Sequence, residues 1–413
     1  MAELYTLPDG WEWEKLENIC IKITDGTHST PKYLEQGIPF LSVKDISKGV
    51  IDFTNTRYIS EEEHLELSKR CNVEIFDVLY TKVGTTGIAK VVDVEKQFSI
   101  FVSIALLKPK KDLICSFYLE YMLNSPNCYE QAQVKTRGVT NKNLVLKDIK
   151  EIMIPLPPLG QQKRIVVKLD NLFAKIDKAI ALHQKNIDEA NIFMASVLND
   201  VFVELEEKYT YTKLKDVVTK EKTSIKRGPF GSALKKSFFV ENGYLVYEQY
   251  HALNNDFSME RYYIDENKFN ELKGFEVKGG DIIISCSGVY LGKLAIIPNE
   301  YTKGIINQAL LKLSLNKDVI SNELFVYFWN NLMNNGFFDE VKKGAAIPNM
   351  PSVKELKEIG IPLPPLQTQQ KVVSYLDEIS QKMEKIKQIQ KEKMQSLKAL
   401  KASILDQAFK GEL

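Results

Sequence analysis

Several features that mark other classes of protein are missing from this chain of 413 residues. No run approaches the ~20 consecutive apolar residues that a membrane-spanning helix requires. The first residues lack the basic and apolar regions of a secretory signal. The five cysteines have neither paired nor metal-binding spacing, which favours free thiols in a reducing cytoplasm; they are Cys20, Cys71, Cys115, Cys128 and Cys286.

An excess of charge of either sign is also absent. The chain has 55 basic and 54 acidic residues, which gives a formal net charge of +1. A protein that coats nucleic acid through its overall charge is strongly basic. Any DNA binding here therefore has to come from local patches, and the rest of the surface is left for protein interfaces.

Motifs of catalysis and metal binding are missing too. No Asn-Pro-Pro or Asp-Pro-Pro tripeptide precedes an aromatic residue, as it would in an adenine methyltransferase. Residues 288–293 imitate a phosphate-binding loop, but only three residues separate the glycines instead of four, and Leu294 replaces the magnesium-binding hydroxyl. The four histidines have no metal-ligand spacing. The sequence therefore predicts a chain without catalytic residues, metal or cofactor.

What the chain does contain is one segment that occurs twice. KDIKEIMIPLPPLGQQKRIVVKLD at 147–170 aligns without gaps to KELKEIGIPLPPLQTQQKVVSYLD at 354–377, an offset of 207 residues (354 minus 147). The central prolines fix φ and lack an N–H, so each copy predicts a stiff extended connector that leads into a helix. A repeat in unbroken register indicates that a whole unit has been duplicated.

Each copy of this segment follows a globular module. Apolar runs bounded by turn residues predict strands in both modules; they lie at 38–43, 78–80, 88–92 and 100–107, with counterparts at 244–247, 281–284, 294–297 and 305–313. Helices are predicted around 117–123 and 324–333. Between counterparts the offset drifts from 198 to 206, whereas in the repeated segment it stays at 207. Since loops absorb insertions and packed helices do not, the modules are two variations of one fold on a shared frame.

The two helices that follow the connectors are unusually long. Apolar residues at steps of three and four give each helix a packing stripe; the seam comprises Leu169, Leu172, Ile176, Ile187 and Met194 in the first helix and Leu376, Ile379, Met383, Leu397 and Ile404 in the second. Isolated helices with such polar flanks are marginal in water, so the two helices are predicted to pair antiparallel. The alternative is that each helix packs only on its own module.

Basic and polar loops stand out within the modules. Eight lysines and arginines against two acids lie between residues 213 and 236, and four against none lie between 135 and 147. Both stretches are interleaved with glycine, which permits close backbone approach, and with small polar residues. Such patches neutralise phosphates, although a charge run is also the ordinary composition of a solvated surface.

The doubled Ile-Pro-Leu-Pro-Pro-Leu segment, the glutamines after it and the order module, helix, module, helix resemble the specificity subunits of type I restriction–modification enzymes. The resemblance covers essentially the whole chain. It implies an α+β fold in which two similar globular target recognition domains are joined by two long α-helices forming an antiparallel coiled coil, a pseudo-twofold internal repeat. The implied divisions are target recognition domain 1 at 1–155, connector and first helix at 156–209, target recognition domain 2 at 210–362, and connector and second helix at 363–413.

The same resemblance implies partners and roles. Each module would read one half of a bipartite site in double-stranded DNA, and the helices would dock two modification (methyltransferase) subunits, with restriction (translocase and nuclease) subunits as further partners. S-adenosylmethionine, ATP and magnesium would belong to those partners, and this chain would be non-catalytic.

Candidate DNA-binding residues follow from the polar loops, because Arg, Lys, Asn, Gln, Ser and Thr can contact base edges or phosphates. In the first module they are Thr27, His28, Lys44, Lys82, Thr85, Thr86, Arg137 and Asn143. In the second they are Arg227, Ser232, Lys235, Gln249, Tyr250, Ser285, Ser287, Lys342, Lys343 and Asn349.

Two other functions fit part of the sequence. The near-zero net charge and the long helices would suit a coiled-coil scaffold that binds only protein. A stand-alone two-module DNA-binding regulator would also carry two readers, but it would bind its site tightly without modification subunits.

Overall fold

The computed structural model describes residues 5–139, 142–337 and 349–413. The chain divides into two compact units, Met1–Gln184 with Gln390–Leu413, and Lys185–Ile389. Each unit contains one globular module and part of each long helix. We call the part of the first unit that precedes the long helices module 1, and the part of the second unit between them module 2.

Module 1 is built on two sheets. Its elements are β1 (Glu12–Lys15), α1 (Leu16–Ile19), β2 (Cys20–Asp25), β3 (Ile38–Leu41), α2 (Val43–Ile46), β4 (Arg57–Ile59), α3 (Glu61–Arg70), β5 (Val78–Thr81), β6 (Ala89–Val91), β7 (Ser99–Ile100), β8 (Ile104–Pro109), α4 (Ser116–Leu123), α5 (Pro126–Lys135), α6 (Leu146–Lys150) and β9 (Met153–Leu156). Strands β2, β8, β5 and β6 form an antiparallel sheet in that order. The smaller sheet has the order β4-β3-β7, with β3 parallel to β7.

Module 2 repeats this arrangement. Its elements are β10 (Tyr211–Lys213), β11 (Ile225–Arg227), β12 (Phe239–Val240), β13 (Tyr244–Tyr247), α8 (Gln249–Asn254), β14 (Tyr263–Ile264), α9 (Glu266–Glu271), β15 (Ile282–Ser285), β16 (Leu294–Ile296), β17 (Gly304–Ile306), β18 (Leu310–Leu313), α10 (Asn322–Asn334), α11 (Val353–Leu356) and β19 (Gly360–Pro362). One sheet has the order β11-β18-β15-β16 and the other β12-β14-β13-β17, again with one parallel pair, β13 and β17. The predicted likeness of the two modules is confirmed.

Every residue of the central strands β5 and β15 is buried. Because successive side chains point to opposite sides of a sheet, both faces of each strand are therefore covered. Val78 and Tyr80 enter the core that the long helices share, whereas Leu79 enters a second core beneath the small sheet. In module 2, Ile282 and Ile283 divide between two cores in the same way. Each large sheet is therefore a partition between a helix-side core and an outer core.

One predicted strand in each module is wrong. The apolar run 100–107 contains two strands, β7 and β8, which belong to different sheets, and the run 305–313 divides likewise into β17 and β18. The N–H of Ile104 donates to the carbonyl of Phe101 at 3.0 Å, so the chain turns between them. Both strands are apolar because both sheets are buried, and the few residues between them, with Ser103 in module 1 and Asn307 and Gln308 in module 2, were too short a polar signal to divide the run.

The connectors behave as their prolines predict. Strand β9 pairs antiparallel with β1, and β19 pairs with β10, so each extended connector closes its own module. The long helices then begin: α7 (Leu159–Lys208) has 50 residues and α12 (Leu366–Lys410) has 45.

The two long helices are antiparallel, as predicted. In the first unit, Nζ of Lys401 lies 2.7 Å from Oδ1 of Asp177, and Nδ1 of His183 lies 2.5 Å from Oε1 of Gln390. In the second unit, Lys387 donates to Asn191. Residue numbers therefore fall along α12 as they rise along α7. These contacts exclude the alternative in which each helix packs only on its own module.

The seam residues lie at or near the cores. Leu169, Leu172, Ile176, Leu397 and Ile404 belong to the helix-side core of the first unit. Met194, Leu376 and Ile379 belong to that of the second unit, Ile187 is buried and Met383 is half-buried. The helix stripe thus packs on the module cores as well as on the other helix.

Candidate nucleic-acid interface

Strand register shows which positions of the two modules correspond. Asp25, the last residue of β2, is paired with Ala105 of β8, and Arg227, the last residue of β11, is paired with Leu311 of β18. The glycine that follows accepts no side chain in either module: a Cβ on Gly26 would collide with the carbonyl of Ile100, and one on Gly228 with that of Asn307. The loops after β2 and β11 are therefore the same turn with different residues around it.

Three loops come together at this end of each large sheet. In module 1, the residues after β2 meet Phe101 through Thr27, and those after β5 meet Asn143 through Val83. In module 2, Ser287, after β15, meets Asn349. We call this set of loops the strand-end face of each module, and most of the predicted DNA-binding residues lie on it.

The strand-end face of module 1 holds a buried carboxylate. Asp25 has a side chain only 3% exposed, and its oxygens lie 2.5 Å from Nη2 of Arg70, 3.3 Å from Nζ of Lys82 and 3.3 Å from Nε2 of His28. Lys82 is 7% exposed, whereas Arg70 and His28 are 54% and 62% exposed. Asp25 therefore contacts one buried cation, Lys82, and two side chains that are exposed to solvent, Arg70 and His28.

Beside this cluster lies an open cleft of about 610 Å³. Three of the predicted residues line it, Lys44, Thr85 and Thr86, together with Gln133 and Lys142. Thr86 is buried, and its hydroxyl lies 3.1 Å from that of Thr136. The cleft offers amide, hydroxyl and ammonium groups to a polar ligand, which suits the phosphates and base edges of DNA.

The strand-end face of module 2 brings together other predicted residues. Arg227 donates from Nη2 to Oδ1 of Asn349, and its guanidinium lies 5.2 Å from the ring centre of Phe230. Nε2 of Gln249 donates to the hydroxyl of Ser285 at 2.6 Å and to the carbonyl of Ser287 at 2.8 Å. Ser285 is fully buried, so it positions Gln249 and does not itself reach a ligand.

The remaining predicted residues are more scattered. Arg137 is exposed and donates to Asp148 at 3.1 Å, while its backbone pairs with that of Asn143. The hydroxyl of Tyr250 donates to Asp256. Ser232 and Lys235 are exposed on the segment between β11 and β12. Lys342 and Lys343 lie outside the described residues.

Sequence reasoning missed Asp25 and Arg70. The predicted residues were chosen from polar loops, whereas Asp25 ends a strand and Arg70 ends helix α3. The available signal was the alignment of Asp25-Gly26 with Arg227-Gly228, in which a charge of opposite sign precedes the same glycine.

The described residues include carboxylates, imidazoles and thiols, the side chains that bind metals or act as nucleophiles. Among them, no group of three or more His, Cys, Asp or Glu side chains could hold a metal ion, and no helix is long and apolar enough to cross a membrane. Burial raises the pKa of Cys286 to about 11 and that of Cys128 to about 12. Both thiols stay protonated near neutral pH and are poor nucleophiles.

Two modules of one topology, each with a polar strand-end face and packed on antiparallel helices, define a two-part nucleic-acid-binding protein. A family model described as the type I restriction modification DNA specificity domain matches the chain twice, over residues 8–190 and 206–393. The chain belongs to this family and carries two of its domains.

Individual relatives agree. The type I restriction enzyme EcoBI specificity subunit of Escherichia coli is 29% identical over 199 residues, which are 48% of this chain and 42% of that protein. The putative type I restriction enzyme MjaX specificity subunit of Methanocaldococcus jannaschii is 26% identical over 400 residues, 92% of this chain and 88% of that protein.

Solved structures share the fold. A chain from a structural study of complex assembly and conformational transition of the type I R-M system has a TM-score of 0.71 at 21% identity, covering 99% of this chain and 100% of that one. The crystal structure of the HsdS subunit from Thermoanaerobacter tengcongensis has a TM-score of 0.50 at 21% identity, covering 99% of each chain.

Proposed function

We propose that this chain is the DNA specificity subunit of a type I restriction–modification complex, in which each module reads one half of a bipartite DNA site. The observation that carries the proposal is the contrast within the repeat. The two modules share a four-stranded sheet of the same order and register, yet their strand-end faces carry different side chains, as two readers of two different half-sites require.

The long helices would seat the modification subunits, two of them by the symmetry of the repeat. Large apolar side chains of α7 that would contact such subunits are exposed between residues 167 and 193: Val167 is 59% exposed, Leu182 53%, Ile192 69% and Phe193 51%. Restriction subunits would join the same complex. S-adenosylmethionine, ATP and magnesium would be bound by those partners, this chain would contribute no catalytic group, and the complex would act in the cytoplasm on double-stranded DNA.

A module exchange tests this function. Residues 210–362 are replaced by the second module of a related specificity subunit, and the chimera is expressed with the modification subunits of the host. Methylation mapping of the genome should show one altered half-site and one unchanged half-site. Exchanging residues 1–155 instead is the matched control and should alter the other half only. A change in both halves, or in neither, contradicts the proposal.

The two other functions are separated by DNA binding in rising salt. A protein-only scaffold shows no DNA affinity that falls steeply with salt, whereas contacts with phosphates give that dependence. A stand-alone regulator binds a specific site tightly as an isolated chain. We expect tight specific binding only when the modification subunits are present.

A further inference from the structure

The turns after β2 and β11 share one side-chain contact, although the residues that make it differ between the two modules. In both modules, the residue before the shared glycine contacts the residue two positions after it. Module 1 uses a carboxylate and an imidazole, with Asp25 Oδ2 3.3 Å from His28 Nε2. Module 2 uses a guanidinium and a ring, with Arg227 lying 5.2 Å from the centre of Phe230. The same pair of turn positions is therefore an acid with an imidazole in module 1 and a guanidinium with an aromatic ring in module 2.

Each turn also holds one arginine by a single terminal nitrogen. Nη2 of Arg70 donates to the carboxylate of Asp25 at 2.5 Å, and Nη2 of Arg227 donates to the amide oxygen of Asn349. A guanidinium has five N–H donors in a fixed plane. One contact through Nη2 orients the plane and, among the described residues, leaves the second N–H of Nη2 and both N–H groups of Nη1 for a ligand.

The residues that follow β5 and β15 also differ in charge between the two modules. Lys82 follows β5, and its N–H donates to the carbonyl of Ser103; Cys286 follows β15 in the same way, with Ala309 as acceptor. The buried ammonium of Lys82 neutralises Asp25, and the neutral thiol of Cys286 lies where Arg227 already supplies the positive charge. In module 1 the buried Lys82 offsets the charge of Asp25, and in module 2 no second charge is needed beside Arg227. Each turn thus holds one arginine whose guanidinium is at least partly exposed.

We propose that Arg70 and Arg227 each read a guanine of their own half-site, and that Asp25 and Asn349 are their positioning residues. A guanidinium recognises the O6 and N7 acceptors of guanine as a bidentate pair, the commonest specific contact in the major groove. Lys82, although basic, is then the buried counter-charge of Asp25 and contacts no base. The inference rests on the proposed function, since it assigns residues within the two half-site readers.

The test uses the complete complex of this chain with its modification subunits and duplexes carrying the mapped site. In each duplex one guanine of one half-site is replaced by 7-deazaguanine, which lacks the N7 acceptor. We expect Arg227→Lys to reduce the discrimination between guanine and 7-deazaguanine about tenfold at one position of half-site 2, and to leave half-site 1 within twofold. Arg70→Lys and Asp25→Asn should do the same at half-site 1 only.

Matched controls separate positioning from folding. Asp112→Asn removes an exposed carboxylate of module 1, and Arg261→Lys changes an exposed arginine of module 2; both should keep the wild-type discrimination. Should Asp25→Asn lower the unfolding temperature, Arg70→Lys decides the question for module 1, because Arg70 is 54% exposed.

Three outcomes overturn the inference: discrimination unchanged in Arg227→Lys or in Arg70→Lys, equal losses at both half-sites from one substitution, or a mapped half-site that has no guanine. A wild-type complex that methylates no bipartite site would instead refute the proposed function, so the two failures are distinguishable.

Discussion

The sides of the two modules that meet the long helices carry the same contacts, whereas their strand-end faces do not. At the helix side, Nε2 of Gln162 donates to the carbonyl of Pro157 at 2.8 Å, and Nε2 of Gln369, 207 residues later, donates to that of Pro364 at 2.9 Å. At the strand-end face, Asp25 of one module corresponds to Arg227 of the other, as their strand register shows.

The difference follows from what each side can exchange without loss. A buried side chain that satisfies several backbone groups cannot be replaced without leaving some of them unpaired, at about 1–3 kcal/mol each. At the strand-end face, the buried Asp25 is paired with side chains, which can change together with it: Lys82 accompanies Asp25, whereas Cys286 occupies the corresponding position beside Arg227. The duplicated half therefore keeps its junction with the helices and changes its outer loops, which is the division of labour that two readers on one frame require.

Removing the buried glutamine that joins each module to its long helix, Gln162 or Gln369, should give the largest loss of stability. Gln162 also donates to Leu113 and accepts from the N–H of Cys115, and Gln369 makes the same set of contacts with Val319 and Ser321. Gln162→Leu and Gln369→Leu each leave buried backbone groups unpaired. We expect each to lower the free energy of unfolding by about 3–5 kcal/mol, measured by urea denaturation of the full chain.

The neighbouring Gln370 is exposed and provides the control. Gln370→Leu should change the free energy of unfolding by no more than about 0.5 kcal/mol. A large loss from Gln162→Leu with almost none from Gln369→Leu would show that the two junctions are not equivalent, and the comparison would fail.

Two lysines of the large sheets, Lys108 of β8 and Lys312 of β18, should give unequal effects, and strand register places them at different positions of the two modules. Nζ of Lys108 lies 2.7 Å from Asp77 and 2.8 Å from Glu74, whereas Nζ of Lys312 donates to the backbone carbonyl of Glu276 at 2.6 Å. Burial lowers the pKa of Lys108, but the hydrogen bonds that its ammonium donates to the two carboxylates outweigh burial and raise the pKa. Burial lowers the pKa of Lys312, and nearby carboxylates do not restore it.

Lys108→Met should therefore cost about 3 kcal/mol of unfolding free energy at pH 7, since it strands the nearly buried Asp77. Lys312→Met should cost about 1 kcal/mol, the value of one hydrogen bond. Equal losses would contradict the difference. Circular dichroism during urea titration measures both, with Lys111→Met, at an exposed position of module 1, as the control.

The cost of Lys108→Met should also depend on pH. Burial raises the pKa of Asp77 above its ordinary value despite Lys108, so the folded chain holds that proton more tightly than the unfolded chain. Ionising Asp77 therefore lowers stability as pH rises through its folded pKa, and lowers it further without Lys108. The lysine also lowers the pKa of Glu74, a stabilisation that is present near neutral pH and lost in acid. Both contributions make the penalty larger at pH 7 than at pH 4.

The long helices of this protein could be predicted from its sequence, whereas the strand pairing within its modules could not. Two ungapped copies and an apolar stripe predict the antiparallel helices, because helix packing depends on a period that any reader can count. The parallel pairing of β3 with β7 links residues about 60 positions apart, from Phe40 to Ser99. No local pattern reports such a pairing, so the second sheet of each module could not be predicted.

The candidate site shows the same limit. Lys44, Thr85 and Thr86 were predicted only as separate DNA-binding candidates, and the sequence did not indicate that they line one cleft. The burial of Lys82 was not predictable, because its partner Asp25 lies 57 residues away on another strand. A charged residue in a sequence is read as exposed until its counter-charge is located.

The smallest of these effects should again be equal in the two modules. The hydroxyl of Tyr121 donates to Asp170 at 2.6 Å, and that of Tyr327 donates to Asp377 at 2.6 Å. Tyr121→Phe and Tyr327→Phe should each lower the free energy of unfolding by about 1 kcal/mol at pH 7. The two losses should add in the double variant, because the two tyrosines belong to separate units and share no partner.

The same tyrosines predict how this difference changes in alkali. Burial, and then the bond to the carboxylate, raise the pKa of both tyrosines. An acid with a raised pKa in the folded state keeps its proton after the unfolded chain has lost it, so its stabilisation is complete below the ordinary tyrosine pKa of about 10 and declines above it. The gap between the wild-type chain and either phenylalanine variant should therefore narrow between about pH 9 and pH 11. A gap that stayed constant in one module while narrowing in the other would show that the two junctions, although alike in geometry, differ in their electrostatics.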